Sequence, residues 1–560
     1  MNKAVTYGIA FLLLVVFAGL AITSIWPDRE SPTCDEIAHH VPVGYVLLSK
    51  RDFKMDTSHP PLSRYLVALP LKLFMKLNMP DDKAQWRRPD RAQFGRDFFY
   101  KYNNQPHMMI FLSRLAIIAV GLLCGLMLFI WIKALYDEKA ALFGLFLYAF
   151  SPNILAHTSL ATTDMTATCF MLLSVCTFWF FLKNMSFKNI IFAGISLGLA
   201  QLSKYTAILL YPVFVLIFVL EPPVIEKANI KRAISKLLIM FTVSVVVLWA
   251  GYAFDCSPIL KDAMRLEEKI SVAHSVVGKI FPFLAQRPNS WLDNFLLNMP
   301  FPSGAHLLGV LGVFGHVYQG HGTYFLGQEL THGNIFYFIV AFLIKTTIPV
   351  IIFFCAGAFT AIRQGITRKE RFLFIIIIIF FLAASFSRLQ LGIRYILPLY
   401  PLFFVICAKN VKPLFNKITK IPVIFLMAWH VFSCLCIWPN YLSYFNEFIG
   451  GPKNGYKFLG DSNIDWGQDL PALAKYLKEN NIENIKLYYF GVADPHSYGI
   501  NYEDTSEGEL ARPEKTVYAI STRYIDTVQW AANVTPVARA GYSIYIYMIL
   551  GNQKLSRRRI

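Results

Sequence analysis

Charge is scarce in this chain. Asp, Glu, Lys and Arg make up 16% of 560 residues, against 55% hydrophobic, and the mean hydropathy is +0.45. That balance excludes a soluble globule and implies a multi-pass membrane protein. Cysteine motifs are missing as well: none of the nine cysteines forms a CxxC pair or shows zinc spacing. Cys124, Cys169, Cys176, Cys355 and Cys407 fall inside apolar runs and read as small core residues. Cys34 and Cys256 each stand near a span end on one side of the membrane, where a disulfide and two free thiols both fit. No small-residue cleavage site follows the first apolar run, 4–26, so it reads as an uncleaved first helix. No long repeat and no low-complexity segment is present.

What is abundant is positive charge, +18 net. Nucleic acid is not the partner this implies. The basic residues form short clusters between apolar spans, the pattern of topology signals in contact with anionic lipid. Apolar runs at 4–26, 107–132, 140–157, 164–182, 189–203, 205–220, 237–255, 335–362, 372–387, 391–408 and 421–438 give about eleven transmembrane helices by the ~20-residue criterion, several of them short. The expected fold is mainly α: a polytopic helical membrane domain, 1–438, with a small C-terminal α/β domain, 439–560. The clusters Lys133/Lys139, Lys183/Lys188, Lys227/Lys231/Arg232/Lys236, Arg363/Arg368/Lys369/Arg371 and Lys409/Lys412/Lys417/Lys420 alternate with less basic connections. Assigning them to the cytoplasm puts the N-terminus inside, and the long loops 27–106 and 256–334 and the tail outside. The first long loop is itself basic (Arg87, Arg88, Arg91, Arg96), but long loops are poor topology determinants. In the tail, Leu470–Asn480 reads as a helix; Lys486–Phe490, Thr516–Ser521 and Tyr542–Ile549 read as strands.

Ionisable residues gather at the outer ends of the spans. Asp35 and Glu36, in Ser31-Pro-Thr-Cys-Asp-Glu-Ile-Ala-His-His40, follow the first helix. Asp164 opens the fourth span, Lys204 tips a tight hairpin, and Arg394 starts the tenth span. Three have an ordinary explanation alone: Lys204 and Arg394 can snorkel near helix ends, and Asp164 suits a helix N-cap; for Asp35 the functional reading leads, because Asp-Glu precedes an amphipathic segment. Together, at one face and depth, they favour a functional site. Asp35 fits a base, and Lys204 and Arg394 fit cations for a departing phosphate. His59, in Ser58-His-Pro-Pro-Leu62, fits an orienting residue, a metal ligand or a cap, and Arg64 just beyond fits a phosphate contact. His316 and His321 match no metal motif. Asp461–Asp469 lacks EF-hand alternation and reads as a turn and helix start. Trp86, Trp291, Tyr318 and Tyr324 suit sugar stacking or, more commonly, interfacial anchoring.

The order of these motifs resembles the polyprenyl-phosphate-dependent membrane glycosyltransferases of the GT-C superfamily. Within it, the likeness is to the bacterial branch related to protein O-mannosyltransferases and the lipid A aminoarabinose transferase. The matching stretches are Asp35-Glu36, His59-Pro-Pro-Leu62, Ser151-Pro-Asn with His157 and Thr163-Asp164, Leu202-Ser-Lys-Tyr205, Arg394-Tyr-Ile-Leu-Pro398, Tyr444-Phe-Asn-Glu447 with Gly450-Gly-Pro452, and Asp461-Ser-Asn with Asp465-Trp-Gly-Gln-Asp469. The resemblance implies Asp35 as catalytic base, with Glu36 beside it and Asp164 as a second acidic site residue. It implies Lys204, Arg394 and Arg64 at the donor phosphate, with His59, Tyr205 and Tyr395 in support. A divalent metal serves some members and not others, so a metal site stays open. The implied partners are a polyprenyl-phosphate sugar donor, membrane lipid, and a protein, lipid A or glycan acceptor, at the outer face of a bacterial inner membrane. The competing readings are a lipid or solute transporter, a polysaccharide polymerase or ligase, and a non-catalytic assembly or receptor protein. A transporter would place its charges near the midplane and often shows repeats.

Overall fold

The computed structural model describes residues 2–80, 86, 90–221, 229–259, 298–409, 419–505, 507–511, 513–531 and 534–549. Arg87, Arg88, Lys227, Trp291, Lys412 and Lys417, named above, lie outside the described residues, as does much of the second long loop. Each apolar stretch expected to span is helical. Among the described residues, five helices are long and apolar enough to cross a membrane, or up to seven if each of two bent pairs is one span; Phe187–Ser203, Tyr205–Leu220 and Leu397–Ala408 are shorter apolar helices. The protein is a polytopic helical membrane protein with a small C-terminal sheet region.

Two expected spans are broken. The 140–157 stretch is two helices, Glu138–Ala149 and Pro152–Thr158, bent by 64°. Pro152 has no N–H to continue the ladder, and Ser151 before it takes extended backbone. The 335–362 stretch is Tyr337–Lys345 and Ile348–Arg363, bent by 116°. There the β-branched pair Thr346-Thr347 is extended and Pro349 stands in the first turn of the new helix. Both breaks matter for the site, because a broken span turns a polar group inward where a continuous one would face lipid.

The Lys204 hairpin is held by glycine. Phe187–Ser203 packs on Ile230–Gly251, and a Cβ built at Gly194 or Gly198 would lie 2.7 Å from the Met240 or Ser244 carbonyl oxygen. Such backbone proximity is how membrane helices gain contact without a hydrophobic driving force.

The long first loop is not irregular. It contains a π-turn, Glu36–His40, and the helices Val41–Lys50 and Pro61–Phe74. The tail holds a five-stranded sheet. Its strands are β3 (Ile485–Tyr488), β4 (Tyr502–Asp504), β5 (Val517–Ser521), β6 (Ala538–Ala540) and β7 (Ile544–Met548), after a hairpin β1–β2 (Thr323–Phe325, Gln328–Leu330) in the second long loop. The order is β4-β3-β5-β7-β6. β3 pairs parallel with β4 and β5, and β7 antiparallel with β5 and β6. The strands expected at 486–490, 516–521 and 542–549 are β3, β5 and β7. The two edge strands have three residues each, too short for alternation to register. The helix Leu470–Glu479 buries Leu470, Leu473 and Leu477, a helical stripe facing the same core.

Candidate active site

The loop after the first helix is stitched to the start of the tail. Ser31 N–H donates to the Gln468 carbonyl at 2.9 Å and Cys34 N–H to the Trp466 carbonyl at 3.0 Å. Ser31 Oγ donates to the Gly467 carbonyl at 2.8 Å. Asp35 is the next residue. From below, the Arg91–Arg96 helix packs so closely that a Cβ at Gly95 would lie 2.2 Å from the Ile37 carbonyl oxygen. A side chain there would push the π-turn away.

Asp35 meets Arg394, with Nη1 donating to Oδ2 at 3.0 Å, and the two side chains are 19% and 12% exposed. Burial raises the Asp35 carboxyl, but the charge of Arg394 and its hydrogen bond outweigh it and hold it below the usual range. Asp164 meets Lys204, with Nζ donating to Oδ1 at 2.7 Å. It is the first residue of its helix; Thr163 is the N-cap, with no side-chain capping bond. Asp164 is therefore not the N-cap. Its Oδ2 accepts from Thr162 Oγ1 at 3.1 Å and lies 3.8 Å from His157 Nδ1.

Tyr395 joins the two pairs. Lys204 Nζ sits 5.0 Å from its ring centroid and the Arg394 guanidinium carbon 5.7 Å. Trp466 lies under Arg394 at 4.4 Å. Asp164 and Arg394 also act on each other electrostatically. Asp35, Asp164, Lys204, Arg394 and Tyr395 therefore form one cluster, drawn from four separate parts of the chain.

The Arg394 loop is positioned by groups that the sequence reading missed. Lys345, at the sharper break, is buried and donates to the Leu442 carbonyl at 2.8 Å and to the Asn463 carbonyl. Asn463 Oδ1 accepts from Ile393 N–H at 3.0 Å, and its Nδ2 donates to Tyr337 Oη at 2.9 Å. Ser462 Oγ donates to the Leu391 carbonyl. Asp461-Ser-Asn is the turn expected there, a short 3₁₀ segment, but its function is to fasten this loop. A lysine inside an apolar run was the available signal for Lys345.

Three expected site residues are engaged elsewhere. Glu36 is fully buried. Its Oε1 accepts from Arg114 Nε at 2.8 Å and Ala161 N–H at 2.7 Å. Its Oε2 accepts from Arg114 Nη2 at 2.7 Å, Thr33 N–H at 2.8 Å and Thr33 Oγ1 at 3.0 Å. All five bonds engage Glu36 within the protein, which leaves no lone pair open in this arrangement. Arg64, 1% exposed, donates from Nε to the His39 carbonyl, from Nη1 to the Asp56 and His59 carbonyls, and from Nη2 to Asp56 Oδ2 and Ser58 Oγ. All five donors are used, so none is left for a phosphate. Tyr205 Oη donates to the Thr57 carbonyl at 3.0 Å and its ring packs on His306; it pins the 51–60 turn. His59 lies against His40, ring centroids 4.9 Å apart, on the wall beside the cluster.

Among the described residues, no three His, Cys, Asp or Glu side chains converge as a metal site. The acids of the cluster are met by lysine and arginine, so these residues do not present a donor set that fits a divalent ion. Cys34 and Cys256 are both free thiols.

The chain matches one family model, described as dolichyl-phosphate-mannose-protein mannosyltransferase, over residues 108–249. That segment carries Asp164 and Lys204, and the match bears out the resemblance drawn from the motifs. No curated protein matches in sequence. Among solved structures the chain is similar to ArnT from Cupriavidus metallidurans bound to undecaprenyl phosphate, at 14% identity and TM-score 0.47, over 99% of each chain. It is also similar to the Archaeoglobus fulgidus oligosaccharyltransferase in the apo form, at 14% identity and TM-score 0.46, over 79% of this chain and 55% of that one. A third likeness is to the S. cerevisiae protein O-mannosyltransferase Pmt1-Pmt2 complex bound to the sugar donor, at 16% identity and TM-score 0.33, over 47% and 37%.

Proposed function

We propose that this protein is an integral-membrane glycosyltransferase that moves a sugar from a polyprenyl-phosphate donor to an acceptor hydroxyl at the outer face of a bacterial inner membrane. The observation that carries the proposal is the pair of acid–cation contacts, Asp35–Arg394 and Asp164–Lys204, around one tyrosine. The family-model match over 108–249 supports it.

Glycosyl transfer needs a base for the acceptor proton and cations for the leaving phosphate. Asp35 is the more exposed acid, bonded through one oxygen. It takes the proton while the acceptor oxygen attacks the anomeric carbon in a single, inverting displacement. Arg394 uses Nη1 for Asp35 and Nε for the Leu391 carbonyl, which leaves N–H groups for a two-point phosphate contact. Lys204 supplies a second positive charge. Asp164, 1% exposed, holds Lys204 in place. The acceptor is a protein, lipid A or another envelope glycan; the sugar is a hexose or an aminopentose.

The test is transfer by purified protein in lipid, offered a panel of labelled polyprenyl-phosphate sugars and a crude envelope acceptor fraction. Asp35→Asn is expected to lower transfer by about 10²–10⁴-fold with the fold intact. Equal transfer by wild type and variant removes Asp35 as base.

A further inference from the structure

Beside Asp35 stands a histidine that the reaction above does not use. His39 lies four residues on, less than one i→i+5 π-turn, and so near the same side of the helix. Its Nδ1 is 3.1 Å from Asp56 Oδ2, and its side chain is 29% exposed while that of Asp56 is fully buried. Asp56 is held by Arg64 Nη2 at 2.8 Å and Arg91 Nη1 at 3.2 Å, and by Ser58 N–H at 2.8 Å. Burial raises the Asp56 carboxyl, but Arg64, the His39 bond and Arg91 keep it well below the usual range, as an acceptor. The ring therefore donates Nδ1–H to Asp56, and Nε2 is the nitrogen left to exchange a proton.

The neighbouring imidazoles differ. His40 is 1% exposed, and burial lowers it to about 3. His59 is also lowered, by burial and then by His40 and Arg64. The charged and titratable groups around His39 are thus Asp35 on its own turn, Asp56 and His59 on the 51–60 turn, Arg64 on the Pro61–Phe74 helix, Arg91 on the Arg91–Arg96 helix, and His40. Among these described imidazoles, His39 combines a bonded carboxylate with a partly open side chain, and it interacts electrostatically with Asp35.

We propose that His39, oriented by Asp56, is a positioning and proton-relay residue that resets Asp35 after each transfer. This rests on the function proposed above. As the acceptor oxygen bonds to the anomeric carbon, its proton passes to Asp35 and the bond from that carbon to the phosphate oxygen breaks, leaving its electron pair on the phosphate. The Asp35 acid then gives the proton to His39 Nε2. The imidazolium, stabilised by Asp56, releases it to water. Asp35 is a carboxylate again, and Nδ1–H never leaves Asp56.

Chemical rescue tests this. His39→Ala in the full-length protein is expected to lower kcat by about 10-fold or more, to recover severalfold in millimolar imidazole, and to change the pH dependence of kcat. Asp35→Asn, assayed alongside, is expected to show no rescue. His39→Gln, which keeps size and polarity, reads the pH profile if the alanine variant does not fold. Transfer by wild type with no imidazole rescue, or with an unchanged profile in His39→Gln, overturns the relay and leaves the glycosyltransferase reading standing. No transfer by wild type from any donor overturns both.

Discussion

Asp35 and Glu36 share a peptide bond but not a role. Glu36 is bound twice by Arg114 and capped by two backbone N–H groups; Asp35 is bound once and partly open. Removing one side of a buried pair strands the other charge, at a cost of about 3–5 kcal/mol. Arg114→Leu is therefore expected to lower stability by that order, read as the thermal unfolding midpoint in detergent. Glu36→Met with Arg114→Leu is expected to recover much of the loss, because no charge remains unpaired. A double variant no more stable than the single one would mean that the pair sets more than its own charge balance. The same accounting at Arg64 shows why a basic residue beside His-Pro-Pro has no N–H left over: the Asp56 carboxylate, Ser58 Oγ and three backbone carbonyls take all five.

At the scale of elements, the placement of Lys204 depends on helix contact and not on its own chemistry. Gly198 faces Val247, whose Cβ would lie 2.6 Å from an added Cβ. Gly198→Val is expected to wedge Phe187–Ser203 off Ile230–Gly251 and to swing the hairpin tip away from Asp164. The expected result is a higher KM for the lipid donor at near-normal expression, checked by donor titration. An unchanged KM would show that the Lys204–Asp164 bond fixes the tip without the helix pair. The broken span at Lys345 is the second device of this kind. Its bend carries an amine to the Leu442 and Asn463 carbonyls, and Asn463 holds Ile393 beside Arg394.

For the whole molecule, the junction between the first loop and the tail buries acids that want protons. Burial raises Glu30 from 4.5 to about 8, against the pull of Arg114 and with help from Asp469 and Glu36. It raises Asp465 from 3.8 to about 7. A carboxyl raised in the folded state binds more protons folded than unfolded between the two values, so stability falls as pH rises through that window. Stability is expected to decline from about pH 5 to 8, flattening above, and Glu30→Gln is expected to make the decline shallower up to about pH 7 and to remove it between about pH 7 and 8. Unfolding midpoints measured across pH 5–9 check this; a flat wild-type curve would mean that these acids are solvated.

The membrane class, the helical stretches and the tail's longer strands were determined by composition and periodicity alone, because burying a helix in lipid requires about 20 apolar residues in a row and a strand alternates. The ionisable residues at span ends were visible for the same reason: each stands at the edge of an apolar run or in the loop that follows one. Their partners were not. Which acid meets which cation, why Glu36 is closed and Asp35 open, and that Lys345, Asn463 and Trp466 shape the site all depend on contacts between residues tens to hundreds of positions apart, while Arg64 is closed mostly by the turn just before it. Sequence spacing encodes the period of one helix. Where two helices touch, and which way a broken one turns its polar group, is settled only by packing.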